Sequence, residues 1–372
     1  MSGRTGQLRA WAELLRLPAL FTVPGDALAG ASAMGLRPGR GTLLAVGSSL
    51  CLYEAGMALN DWADRDEDAV DRPHRPLPSG RIRPAAALTA AAAFTAAGLT
   101  LAHRAGRPAS LLAGALAATV WSYDLVLKHT PAGPATMATA RGLDVLLGAA
   151  ATATCREQAP RPAAATLASP RSGQAARPAA ATLASLRSGQ APRPAAATLA
   201  SPGCGQAFRK AERVGTASGA GRHSQGLWAA LPAATTIAAH TLAVTTVSRN
   251  ETQGGNTLAP LGALAATLTL TRLTARTHKL PAGRRVAAAP GLPGSVTTAL
   301  AAAYAAATTR PYLHAALNPS PPLTQRAVGA GIKALIPLQA ALAAKAGAPG
   351  TALLTAALAP LAQRIAPKVS VT

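Results

Sequence analysis

Residues 60–83 read NDWADRDEDAVDRPHRPLPSGRIR and hold a dense block of charge between two apolar segments. Asn60, Asp64 and Asp68 recur at i, i+4 and i+8. On a helix they form a row on one face, spread over about 12 Å by the helical rise. Hard divalent cations take oxygen ligands, and magnesium typically uses one or two carboxylates and completes its shell with water and substrate phosphate oxygens. A carboxylate row at the mouth of an apolar helix therefore suits a diphosphate held through metal ions. Arg72, Arg75, Arg81 and Arg83 follow at once, and their guanidinium forks match phosphate geometry. Pro73, Pro76, Pro78 and Gly80 break the helix into a loop.

The surroundings of this block point to lipid. The 372 residues are 49% hydrophobic and 13% charged, roughly half the charged share of a soluble domain. Because the apolar runs are built from Ala, Thr, Leu and Gly, the mean hydropathy is only +0.21. Their number carries the inference instead. Runs of spanning length lie at about 17–36, 42–61 and 84–103, then from Pro108 to Trp121, and at about 135–154, 226–247, 257–275, 287–309, 326–345 and 349–365. The expected fold is an all-α, multi-pass transmembrane helical bundle.

Net charge is +22 and the pI about 11.6, which would ordinarily raise nucleic-acid binding. Aromatic residues make up only 3%, so no stacking platform interleaves with the basic residues. Contact with anionic membrane lipid explains the charge, and no nucleic-acid partner is expected. Cys51, Cys155 and Cys204 form no CxxC pair and no even framework. The basic start, with Arg4, Arg9 and Arg16 before the first run, reads as a retained cytoplasmic end. That places the chain in the cell membrane with the aspartate block on the cytoplasmic side.

Ionisable residues inside membrane helices usually face the bundle interior. Asp26 either lines a cavity or caps a kink at Pro24. Glu54, six residues before Asn60, serves as an accessory base or pairs with an arginine. Arg141 and Asp144 stand at i, i+3 and are placed to neutralise each other.

The pattern Asn-Asp-x-x-Asp-x-x-x-Asp followed by Arg-Pro-x-Arg-Pro-Leu-Pro-Ser-Gly-Arg resembles the first aspartate-rich motif of the UbiA superfamily of intramembrane prenyltransferases. The resemblance implies about nine transmembrane helices, one fewer than the ten apolar runs, and Mg2+ bridging a polyprenyl diphosphate to Asn60, Asp64 and Asp68. It makes Lys128 a diphosphate contact assisting departure and Tyr123, five residues earlier, a pocket residue. Arg72 and Arg75 fall in the same motif as diphosphate-binding cations. Arg141 is then either a lid over the diphosphate or half of a structural ion pair. A second aspartate-rich motif is implied after the sixth run, where this chain carries Ser248, Arg249, Asn250 and Glu251. Either Glu251 with Asn250 replaces the usual ligands or the second metal site is lost.

Between the halves of the bundle, RPAAATLAS recurs at 161, 177 and 193. Each 16-residue unit holds Arg-Pro and Ser-Gly breakers and too few large aliphatics for a core. The organisation read from the sequence is therefore a bundle over 1–155, a disordered tandem insert over 156–222 and the rest of the bundle over 223–372. The expected function is Mg2+-dependent prenyl transfer to an unidentified aromatic or lipid-like acceptor, with Glu54 or Glu251 taking the proton. The alternative is a non-catalytic protein that binds or moves an isoprenoid or lipid diphosphate.

Overall fold

The computed structural model describes residues 2–158, 227–251, 254–276 and 292–365, and among them every regular element is helical. The tandem repeat and residues 277–291, where the expected run at 287–309 begins, lie outside the described residues.

Helix α1 spans Ser2–Leu14. A 3-10 turn, Leu17–Thr22, and a short α2, Pro24–Ala33, follow in place of one continuous run over 17–36. Pro24 is the cause: it has no amide to continue the preceding turn, yet its fixed φ suits the first position of a new helix. Helix α3, Arg40–Ala63, delivers the charged block at its end, and α4, Arg65–Asp71, continues it. Helix α5 is Pro84–Ala105, again opened by proline and closed with Arg104 in its last turn, whose charge complements the helix dipole. Helix α6, Arg107–Ser122, passes into a π-helical turn at Tyr123–Leu127. Helix α7, Gly133–Gln158, runs three residues past the expected boundary at 155.

After the repeat come α8, Leu231–Ser248, α9, Leu258–Ala275, α10, Leu292–Leu317, and α11, Pro321–Lys345. The expected last span is instead two eight-residue helices, α12, Pro349–Ala356, and α13, Leu358–Ile365. Pro360 cannot donate to the carbonyl of Ala356, which breaks the helix at that point. Five described helices are long and apolar enough to cross a membrane: Arg40–Ala63, Pro84–Ala105, Arg107–Leu127, Leu258–Ala275 and Pro321–Lys345.

Helix α3 packs against α5 and α7, α6 against α7, and α7 against α8; α9, α10 and α11 pack in sequence, and α11 returns to α8 and α2. Helix α2 sits between α7 and α11. Its approach to α7 is set by two glycines. A Cβ on Gly30 would lie 2.0 Å from the Val145 carbonyl oxygen, and one on Gly148 would lie 2.3 Å from Ala27 Cα. Small residues at such crossings let membrane helices touch backbone to backbone. One apolar core joins Leu52, Leu116 and Leu147, and a second joins Ile237, Leu270, Leu335 and Leu338. Leu43 and Leu111 are about three-quarters exposed at 74% and 75%. Large side chains turned outward from long apolar helices fit lipid better than water. At the motif end, Ala10 and Leu14 of α1 close over Ala58, Leu59, Leu77 and Ile82.

Candidate functional site

The junction of α3 and α4 keeps the helical repeat through the charged block. The Asp64 amide donates to the Asn60 carbonyl at 2.9 Å, and the Asp68 amide to the Asp64 carbonyl at 2.8 Å. Asn60, Asp64 and Asp68 therefore stay in one row even though the assigned helix breaks at Asp64. Asn60 Nδ2 donates to Asp64 Oδ2 at 3.1 Å. Asp68 is buried and held by Arg75, Nη1 to Oδ2 at 2.7 Å, with Arg72 at 3.5 Å from its other oxygen. Asp61 ties the row to its supports, accepting from Arg16 at 2.9 Å and lying 3.6 Å from Arg75. Arg75 thus anchors the proline-rich loop to the aspartate row.

Across from the row stands the π turn. The Lys128 amide donates to the Tyr123 carbonyl at 2.9 Å, five residues back, so this turn holds one residue more than an α-helical turn. It puts the Lys128 ammonium on Asp64 Oδ1, with His129 Nε2 3.9 Å from the same oxygen. Asp64, Glu67 and His129 offer ligand atoms that all lie within 4.8 Å of one another. Glu67 is one turn from Asp64, a spacing visible in the sequence. His129 was not, because its approach depends on the extra residue of the π turn. With Asn60 beside Asp64, this donor set is mainly oxygen, and it fits a hard divalent cation.

Beyond the row lies a cavity of about 410 Å3. Arg16, Asn60, Tyr123, Ser248 and Glu251 line its motif end; Leu52, Leu116, Val120, Val244, Val328 and Leu335 line its middle. Ser49, Arg141, Asp144 and His240 line its inner end. Arg16 was legible only as one basic residue of the amino-terminal segment. It is the one described non-glycine residue with positive φ, at 47°, a strained conformation that aims its side chain at Asp61 and the cavity.

Several expected partners differ. Arg141 pairs with Asp26 on α2, Nη1 to Oδ2 at 2.7 Å, and donates from Nη2 to Thr22 Oγ1 at 3.2 Å. It does not form the expected ion pair with Asp144, which instead accepts from the Ser49 hydroxyl. Glu54 does not line the cavity. It is buried, no hydrogen-bond donor reaches either of its oxygens, and none of the ion pairs among the described residues includes it. Six residues separate it from Asn60, about 240° around the helix, which turns it to another face. Of the altered second motif, Ser248 and Glu251 reach the cavity; Asn250 does not, and Arg249 donates to the Thr130 carbonyl. Burial pushes the Glu251 carboxyl above the usual range, against the pull of Arg72 and Arg16.

The UbiA prenyltransferase family is the match for residues 19–170, a stretch that holds the aspartate row, Lys128 and Arg141 and ends before Glu251. Digeranylgeranylglyceryl phosphate synthase of Methanopyrus kandleri is 35% identical over 129 residues, 33% of this chain and 46% of that protein. Chlorophyll synthase of Oryza sativa subsp. japonica is 44% identical over 54 residues, 14% of each chain. The chain spans about half, or less, of the length of the curated relatives it matches. Among solved structures, a UbiA homolog from Aeropyrum pernix K1 aligns with a TM-score of 0.51 at 15% identity, covering 84% of this chain and 96% of that one. At that identity the likeness is one of fold.

Proposed function

We propose that this chain, which carries UbiA prenyltransferase family sequence over residues 19–170 within a UbiA-like helical fold, is an integral membrane prenyltransferase that moves a prenyl group from a polyprenyl diphosphate to an acceptor. The observation that carries this reading is the cavity itself. Its mouth gathers Asn60, Tyr123, Arg16 and Glu251, and its middle is apolar. Charge is thus handled at one end while the reacting carbon sits in a dry wall.

Asn60, Asp64 and Glu67 are the residues that would hold Mg2+, which supplies neutralisation of the diphosphate as it departs. Asp68 supports the row through Arg72 and Arg75. Lys128, already on Asp64, donates to the diphosphate oxygens as the C–O bond breaks and the leaving group takes the electron pair. Tyr123 shapes the pocket beside them. Leu52, Val120 and Val244 keep water from the prenyl cation. The acceptor's nucleophile forms the new bond, and its proton passes to the Glu251 carboxylate at the mouth. Glu54 is not needed in this scheme. The cluster of Arg16, Arg72, Arg75, Arg81 and Arg83 at the motif end favours a cytoplasmic mouth in the cell membrane.

The decisive test uses purified membranes, Mg2+ and labelled geranyl, farnesyl and geranylgeranyl diphosphates, comparing the wild type with Asp64→Ala. We expect Mg2+-dependent diphosphate release that Asp64→Ala lowers by at least about 100-fold, the scale of losing a charge-stabilising group. Binding without release across acceptor mixtures would favour the non-catalytic reading, which the lack of aspartate at Ser248 to Glu251 already motivates.

A further inference from the structure

The inner end of the cavity is polar, and its charge can be worked out group by group. Three helices place it at the same depth. Ser49 is eleven residues before Asn60 on α3, Asp144 eleven after Gly133 on α7, and His240 eleven before Glu251 at the end of α8, each about 16 Å along the helix axis. A diphosphate held at the mouth does not reach that far. Whatever touches the inner end belongs to another part of the bound molecules.

Arg141 brings one positive charge, and it is matched by Asp26, fully buried at 0% exposure, at 2.7 Å. Gln339 Nε2 holds Asp26 in place, donating at 2.7 Å to its Oδ1 and at 2.7 Å to the Thr22 carbonyl. His240 carries a hydrogen on Nε2, which faces the Gly331 carbonyl at 3.0 Å, and its Nδ1 lies 3.0 Å from the Tyr304 hydroxyl; no ion pair among the described residues includes it. The sum is a buried surface rich in hydrogen-bonding groups, on which the Arg141 cation is paired with Asp26.

We propose that the inner end of the cavity receives the polar end of the acceptor as an uncharged hydroxyl, of a phenol, quinol or polyol, donating to Asp144 beside Ser49, and that it rejects a carboxylate or phosphate there. This rests on the prenyltransferase reading above. An anion at that depth meets no free cation, since the Arg141 guanidinium is already satisfied, and an unpaired buried charge is strongly unfavourable. A hydroxyl loses nothing comparable, because it can donate to the Asp144 carboxyl, whose Oδ1 already accepts from Ser49.

The test separates this inference from the activity. Equilibrium binding to the detergent-purified full chain, with Mg2+ and geranylgeranyl thiolodiphosphate as an unreactive donor, compares matched acceptors. One pair is 2-methyl-1,4-dihydroxynaphthalene against 1,4-dihydroxy-2-naphthoate; the other is a 1-O-alkylglycerol against its phosphate ester. We expect the neutral member of at least one pair to bind at least tenfold tighter. Asp26→Asn frees the Arg141 charge and should move the preference toward the anion by tenfold or more, a change that loss of packing alone does not produce. Equal binding, preference for the anion or no binding of any probe to the wild type overturns the proposal, whether or not Asp26→Asn folds. Tight neutral binding with no prenyl transfer from the natural diphosphate would sink the catalytic reading and leave this one standing.

Discussion

Glu251 is the residue at which the proposed chemistry meets pH. Burial raises its pKa above the ordinary carboxylate range, so at acidic pH it keeps its proton and cannot accept another. Activity should climb with pH along a limb centred above the usual Glu value of about 4.3. Glu251→Gln should remove that limb and lower the rate by about 100-fold or more, the ordinary contribution of a positioned base; a retained limb would assign the base elsewhere. The linkage runs the other way for stability. The native state binds this proton more tightly than the unfolded chain, so the contribution is present below the unfolded pKa and is lost as pH rises through the native one. At this scale the sequence was readable where spacing encodes direction. Asn60, Asp64 and Asp68 form a row because four residues nearly close a helical turn. The partner of Arg141 was not readable. Asp144 is its neighbour in sequence, but the guanidinium crosses to Asp26 on another helix, and no local period reports such a contact.

At the scale of elements, prolines and glycines decided more than hydropathy did. Pro24 divides the first expected span and Pro360 the last, and both breaks follow from the missing amide. Hydropathy averaged over a window does not register a single absent donor. The α2 and α7 crossing offers a direct check. Gly148→Val places atoms where Ala27 Cα already stands, 2.3 Å from the ideal Cβ. Overpacking of this kind typically costs about 1–3 kcal/mol, so thermal unfolding in detergent should shift to lower temperature. An unchanged melting temperature would mean the two helices separate freely.

For the whole molecule, the described helices pack into one unit made of Met1–Gln158 with Gly221–Thr372. Helices α7 and α8, which flank the repeat in sequence, pack on each other. We therefore expect a chain with residues 159–220 replaced by a short Gly-Ser linker to keep its helical circular dichroism and its Mg2+-dependent diphosphate release within about threefold. Loss of either would show that the repeat takes part in the fold or the site. The all-helical bundle itself was legible from ten apolar runs and a shortage of charge. The number of true crossings was not, because runs rich in Ala and Thr sit close to the hydropathy that separates a buried helix from a spanning one.

The π turn before Lys128 makes the site a matter of counting. Each residue in an α-helix advances the side chains by about 100°, so one residue more reassigns every face that follows unless a wider turn absorbs it. The π turn does so here: the Lys128 amide bonds the Tyr123 carbonyl five residues back. Loss of a single residue between Tyr123 and Leu127 would restore the ordinary repeat and leave Lys128 four residues after Tyr123, donating to the same carbonyl and still beside Asp64. A comparison of relatives by residue identity alone would score such a deletion as a gap at the site, whereas in three dimensions the facing of Lys128 is kept.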